Sequence, residues 1–487
     1  MYLPIMKSSS DSYNWLWLSL ALMVILFIAF LLPLVPNDYW WYVRLGNDII
    51  ANRAVPTVDT YSFSRYGEPV VYQSWLSAIL LGLVYESGGI PLTFLLRSLV
   101  IGATYTVLWK VANNAGAGPK LATVLVLFAA LAGSNNWSHR PQLFTYGLFV
   151  WEVLLLWNWS QGKDKQIWWL VIISLLWANL HGSFVIFFVL AGIALLFGKG
   201  DQKRLLIVMI LAGAVTLLNP RGITLWTSVL ETFIAPGSRN LSVEWGPPVN
   251  AGWQMGIFFL WLLIFAPLAA LSSYRLPTFS WFWFLAFGWL ALSGMRYVIW
   301  FLFILVPLTA YLAKDWSERW FDRPVLVRQP AINLILGLFF VFIPLITLPG
   351  IRDMWWKDAP AALFKGTPVE AINWLSAHET LPGEMWSDIH FASYQIYALP
   401  SRPVWIDTRI QVVYPLTFFD EYTAMSTASS NWQRLLDKYA VNLLLLSPAS
   451  QPLLVTALDQ TPEWCRIYED DISQIYARTQ ENISCLR

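Results

Sequence analysis

The residues with chemical reach in this 487-residue chain sit where long apolar stretches break. The first such place is Pro36-Asn37-Asp38-Tyr39-Trp40-Trp41. An acid here has two uses. As the residue before a helix, Asn37 or Asp38 makes an ordinary N-cap, worth about 1 kcal/mol. As a general base, Asp38 would take a proton from an acceptor hydroxyl, a role that contributes roughly 10²–10⁴-fold. Spacing alone favours the cap. Arg44 and Asp48 follow at i, i+4, a helix pair in the weaker order, and Asp59 starts a turn in the stretch from Ala54 to Pro69.

Four further clusters end apolar runs. They are Ser138-His139-Arg140-Pro141, Asn179-Leu180-His181-Gly182-Ser183, Asn219-Pro220-Arg221-Gly222, and Arg296. Glu244 adds an acid in VEWGPP. Singly, each reads as a tight turn or a snorkelling side chain. Together they weigh more, because ionisable groups at membrane depth cost about 2.5–3.5 kcal/mol each. A cavity for an anionic lipid headgroup would explain them, since arginine grips phosphate oxygens with a planar fork. His139 and His181 with a carboxylate would make a divalent-metal site, but without the close ligand spacing such sites show. Arg97 and Glu152 lie inside apolar runs, where packing accounts for them. P-loop, GxGxxG and HExxH patterns are absent from the soluble segments.

The elements that position these residues follow from composition. Hydrophobic residues make up 57% and charged residues 13%, against about 25% charged in a soluble chain. Net charge is +1, with no basic run, which argues against nucleic-acid binding. Two cysteines, Cys465 and Cys485, are too few for a disulfide framework. Residues 1–349 carry 21 Lys/Arg and 14 Asp/Glu, and residues 350–487 carry 10 and 16. The second part is acidic, nearly twice as charged per residue, and has no long apolar run. A boundary near Gly350 therefore separates a membrane domain, 1–349, from a soluble domain, 350–487.

Eleven stretches approach the roughly 20 apolar residues a span requires: 14–35, 91–113, 120–135, 141–159, 167–180, 183–198, 204–218, 253–272, 279–294, 296–313 and 331–349. With the N-terminus inside, cytoplasmic connections hold 13 Lys/Arg and the opposite side of the membrane part holds 7, all arginine. Depletion by the positive-inside rule plus chance accounts for the all-arginine set as well as phosphate recognition does. An odd span count puts the C-terminal domain outside the cytoplasm. In the long outer loop 36–90, Trp41, Leu45 and Ile49 repeat at i, i+4, i+8, predicting a helix lying in the membrane interface. Trp75–Tyr85 predicts a second, closed by Gly88-Gly89. The C-terminal domain reads as α/β, with a helix over Pro368–His378 and others near Phe418–Tyr422 and Trp432–Tyr439. Strands are expected at Met385–Trp386, Val404–Ile406, Leu443–Leu446 and Ile475–Tyr476. Asp407-Thr408-Arg409 follows a strand, a natural place for a binding residue, and reads equally as a salt bridge.

The ordered motifs PNDYWWYVRLGNDIIANRAVPTVDTYSFS, QSWLS, HRPQLFTY, WANLHGSF, NPRG and PVWIDTR resemble a bacterial group of the GT-C superfamily of polytopic membrane glycosyltransferases. The resemblance implies a GT-C-like helical membrane domain of about 11 spans with interfacial helices in the first outer loop, a small C-terminal α/β domain, and a place in the plasma (inner) membrane. It implies a sugar donor on a polyprenyl phosphate, an extracytoplasmic lipid, glycan or protein acceptor, and transfer with inversion. By position Asp38 would act as base, with Asp59 as a second acid. Arg44, Arg140, Arg221 and Arg296, with His139 and His181, would hold the donor phosphate, while Trp41, Asp48, Glu244, Asp407 and Arg409 would serve the acceptor or another part of the site, with the C-terminal domain as acceptor-binding element or lid. Asn37 stands where a metal-binding acidic pair would need a second acid, so no cofactor is assigned and a divalent metal stays open. The WWDYG motif of oligosaccharyltransferases is absent. A transporter or flippase of an anionic or lipid-linked substrate, and a non-catalytic scaffold, are the competing readings.

Overall fold

The computed structural model describes residues 6–234, 243–321, 329–410, 412–479 and 485–486. In chain order the helices are α1 (Met6–Leu31), α2 (Tyr39–Asn52), α3 (Trp75–Ala115), α4 (Pro119–Gly133), α5 (Leu143–Ser160), α6 (Trp169–Leu180), α7 (Val185–Phe197), α8 (Gln202–Thr216), α9 (Thr224–Ile234), α10 (Gly252–Leu271), α11 (Thr278–Ser293), α12 (Val298–Leu312), α13 (Lys314–Trp316), α14 (Pro330–Phe342), α15 (Val369–Ala377), α16 (Ile389–Ala398), α17 (Leu416–Ser426), α18 (Trp432–Lys438) and α19 (Pro452–Asp459). The strands are β1 (Glu384–Ser387), β2 (Val441–Leu446), β3 (Trp464–Glu469) and β4 (Gln474–Arg478). A helix lies in each of the eleven apolar stretches. Among the described residues, five are long and apolar enough to cross a bilayer: Tyr13–Leu31, Trp75–Ala115, Gly252–Leu271, Met295–Leu312 and Pro330–Thr347. Shorter apolar helices accompany them, and the chain is a multi-pass membrane protein.

Two compact units emerge. The first comprises the described residues of Met1–Leu32, Ser87–Val229 and Ser238–Pro360; the second comprises those of Pro33–Glu86, Leu230–Gly237 and Ala361–Arg487. The second unit groups Pro33–Glu86 with the segment that begins at Ala361.

The first unit is a helical bundle around a large apolar core, with α12 buried along nearly its whole length. Two buried arginines close the C-terminal end of α1. Arg97 donates to the carbonyls of Ala29 and Leu32, and Arg352 donates to Phe30 O at 3.2 Å. Carbonyls at a helix end have no intrahelical donor, and the cations also face the negative end of the helix dipole. Arg97 thus has a structural task, as its place within an apolar run implies.

The second unit is built on a four-stranded sheet in the order β1-β2-β4-β3. β1 runs parallel to β2; β2 and β4, and β4 and β3, are antiparallel. β2 is an apolar run, VNLLLL, because both faces are covered. Leu444 and Leu446 enter one core, and Leu443 and Leu445 the other. Val404 forms no strand; its N–H and C=O pair with Tyr61 O and Phe63 N, both at 3.0 Å. β3 carries Arg466 and Glu469 and lacks the apolar run that would announce it. Cys465 and Cys485 form a disulfide.

The first loop supplies α2, whose apolar face was expected at a membrane surface. Trp41, Leu45 and Ile49 are instead buried in the same core as Trp386, Leu444 and Tyr476 of the sheet. An amphipathic helix serves either purpose, and here a protein core takes it. The predicted second interfacial helix is the start of α3, which breaks at Gly88 and Gly89. Gly89 has φ +57°, where a side chain would be strained. α2 meets α3 at Gly46, where an added Cβ would fall 2.0 Å from Ala78 O. Gly46→Ala is expected to destabilise the chain by about 1–3 kcal/mol through overpacking, read as a lower unfolding temperature in detergent.

Candidate active site

Both units carry candidate site residues, and in each unit these fall into separate groups. In the second unit, Asp38 occupies the N-cap position of α2 yet makes no side-chain capping bond to the helix. The reading that spacing alone favours therefore fails for its side chain. The surrounding backbone is held firmly. Ser393 Oγ of α16 donates to Pro36 O at 3.2 Å and faces Trp41 N at 3.4 Å. Thr408 Oγ1 donates to Asn37 O at 2.9 Å and accepts from Trp41 Nε1 at 3.3 Å. The acid is thus carried on a stretch pinned from both flanks.

The other candidates in this unit are engaged with each other. Arg44 pairs with Asp48 at 3.1 Å, and Asp48 also accepts from Tyr61 Oη at 2.8 Å. Asp59, Asp407 and Arg409 form one fully buried network. Arg409 grips Asp407 bidentately at 2.9 and 2.6 Å, reaches Asp59 Oδ1 at 2.5 Å, and donates to Tyr72 Oη at 2.8 Å. Tyr414 Oη donates to Asp407, and Ser62 donates to Asp59. Burial opposes the Arg409 charge, but Asp407 and its other partners more than offset this and hold its pKa well above the usual value. Ion pairs of this kind are consumed in joining segments; the network ties the 59–72 loop to the PVWIDTR segment, while Thr408 between the two acting residues holds Asn37.

In the first unit, Arg140, Glu244 and Arg296 line one pocket with Asn136, Ser138 and Tyr146. Arg140 Nη1 meets Glu244 Oε2 at 2.6 Å, and Arg296 lies over the Trp245 ring at 4.2 Å. Burial raises the Glu244 pKa, but the Arg140 charge and hydrogen bond, then Arg296, bring it below the usual carboxylate value. Among the described residues the pocket is lined by two cations and one anion. His181 sits in the field of the same arginines: burial, then Arg296 and Arg140, depress its pKa to about 3. Its Nδ1 accepts from Ser183 N–H at 3.0 Å, so the neutral ring carries its proton on Nε2. His139 turns elsewhere. Its Nδ1 faces Arg97 at 3.3 Å, and burial, then the Arg97 charge, hold its pKa well below the usual value. Arg221 begins α9's approach, its N–H donating to Asn219 Oδ1 at 2.9 Å, while Asn219 bonds to Ala178 O at the end of α6. Among the described residues, no three His, Cys, Asp or Glu side chains are grouped to hold a metal ion.

No family model and no curated protein matches the chain. Solved structures do. The archaeal oligosaccharyltransferase AglB from Archaeoglobus fulgidus, solved with an inhibitory peptide and a dolichol-phosphate, superposes with a TM-score of 0.59 at 11% identity, covering 96% of this chain and 75% of that one. The arabinofuranosyltransferase AftD from Mycobacteria gives 0.58 at 16% identity, covering 96% of this chain and 42% of that one. The fold is GT-C-like. Sequence reading missed Tyr146 and Asn136, which carry no charge, and it missed Asp388 and His390, although the spacing Asp-x-His at the end of a strand marks them.

Proposed function

We propose that this chain is a membrane glycosyltransferase that moves a sugar from a polyprenyl-phosphate donor to an acceptor at the non-cytoplasmic face, with inversion. The GT-C-like superposition over 96% of the chain carries the reading. Three features support it. Asp38 sits at a helix start without capping it. The Arg140–Arg296–Glu244 pocket has a net charge of one positive unit, matched to the single negative charge of a phosphodiester donor. The disulfide in the second unit fits an oxidising compartment. In this scheme Asp38 of the second unit takes the acceptor proton, and the arginines of the first unit bind an anionic lipid phosphate; each role is assigned within its own unit. Neutral His181 donates from Nε2 in the same shell.

Binding of a polyprenyl phosphate to the purified chain, followed by native mass spectrometry, tests the phosphate pocket. Arg140→Ala or Arg296→Ala should weaken it about 10–100-fold, the loss of one charge-assisted hydrogen bond. Glu244→Gln removes the one anion and should tighten it. Equal affinity in all three variants would remove this pocket from the scheme.

A further inference from the structure

We infer that Asp388 and His390 form an aspartate–histidine pair that receives the acceptor proton from Asp38 and releases it to water. The inference rests on the assignment of Asp38 as base, and all three residues belong to the second unit.

Asp388 lies just past the end of β1 and caps α16, accepting from His390 N–H at 2.7 Å. Its carboxylate is 1% exposed, and it is fixed on its other oxygen by Gln451 Nε2 at 2.5 Å. Gln451 is in turn held by Tyr422 Oη at 3.0 Å, and that hydroxyl also accepts from Ile389 N–H at 3.2 Å. His390 Nδ1 faces Asp388 Oδ1 at 3.2 Å while the side chain is 61% exposed. A buried carboxylate on Nδ1 fixes the tautomer and leaves Nε2 at the water-facing side, the same orientation logic as in hydrolytic triads.

Helix α16 packs against the segment that carries Asp38. Ser393, one turn after His390, contacts Pro36 O and Trp41 N, the two sides of the segment that contains Asp38. Trp40 of α2 packs against Tyr394 and Tyr397 of α16. The hydrogen bond that His390 donates to Asp388 raises the His390 pKa, burial opposes this, and the charges of Asp388 and then Asp38 add to the rise. Glu370 of α15 acts on Tyr394 instead.

The step balances as follows. The acceptor O–H breaks and its proton passes to Asp38. The freed oxygen bonds to the anomeric carbon as the bond from that carbon to the lipid phosphate oxygen breaks, its electron pair leaving with the phosphate. Asp38 hands the proton to Nε2 of neutral His390, and the exposed ring gives it to water. His390 must be neutral to accept, so transfer fails as pH falls below its raised pKa. In Asp388→Asn that pKa drops, and the acidic limb of the rate profile moves to lower pH.

The chain has four histidines, so histidine-selective carbon-13 labelling of the full chain in detergent resolves the titration, with His390→Gln assigning the signal. The His390 pKa should fall in Asp388→Asn and also in Asp38→Asn. An unchanged value in Asp38→Asn would overturn the inference without any assay of activity. In membranes supplied with the cell's total lipid extract as donor, His390→Ala should slow transfer about tenfold or more, and imidazole in the buffer should restore part of it. A wild-type rate and pH profile in His390→Ala, with Asp38→Asn inactive, would remove the relay and leave the base standing. Full transfer by Asp38→Asn would remove both.

Discussion

Asp38→Asn is expected to lower sugar transfer by roughly 10²–10⁴-fold, the contribution of a positioned general base, while leaving the fold intact. The amide is the same size as the acid, and the acid makes no side-chain capping bond to α2 that would be lost. The helix start is secured by other groups, Ser393 and Thr408. A polyprenyl phosphate should therefore still bind, and the unfolding temperature should stay near that of the wild type. Transfer in washed membranes, with thermal unfolding of the same preparation, separates the two effects. A drop in unfolding temperature with preserved transfer would make Asp38 a structural cap after all.

Arg409→Met should do the opposite, striking stability first. Among the described residues, Arg409 is the cation bonded to both Asp59 and Asp407 in the buried network, and all three side chains are fully enclosed. Its removal leaves two buried carboxylates without a countercharge, held only by neutral donors such as Tyr414 Oη and Ser62 Oγ. Breaking a buried pair in this way costs about 3–5 kcal/mol, enough to unfold the second unit at growth temperature. Arg409→Lys should not rescue it, because a point charge does not reproduce the bidentate grip on Asp407 together with the bond to Asp59. Thermal unfolding and limited proteolysis of the second unit read the effect. A wild-type melting curve for Arg409→Met would show that the network contributes nothing to stability.

These two residues also mark what was legible in the sequence. The helical framework was, because each apolar stretch must satisfy its backbone internally to live in a bilayer, and a helix lies in every stretch so identified. Strand β2 was legible for a similar reason: a sheet interior covered on both faces demands an apolar run, here Leu443–Leu446. Strand β3 was not, since an edge position leaves room for Arg466 and Glu469 and dilutes the pattern. Asp38, Arg140, Glu244 and Arg296 were visible as charges where apolar runs end. The network of Asp59 with Arg409 was invisible in kind, because its partners stand 350 residues apart and no local spacing reports a contact of that range. The same holds for the apolar face of α2, whose periodicity declares that it is buried but not by what. Asp388 and His390 were printed two residues apart, yet only the fold brings their helix against the start of α2.

The most direct test of the central claim is a mass-spectrometric profile of polyprenyl-linked sugars and envelope glycans in cells lacking the gene, complemented with wild type or with Asp38→Asn. The account predicts that one polyprenyl-phosphate sugar accumulates in the deletion while one glycan loses a residue of the same mass. Wild type should reverse both changes, and Asp38→Asn should reverse neither. An identical profile with and without the gene would contradict it.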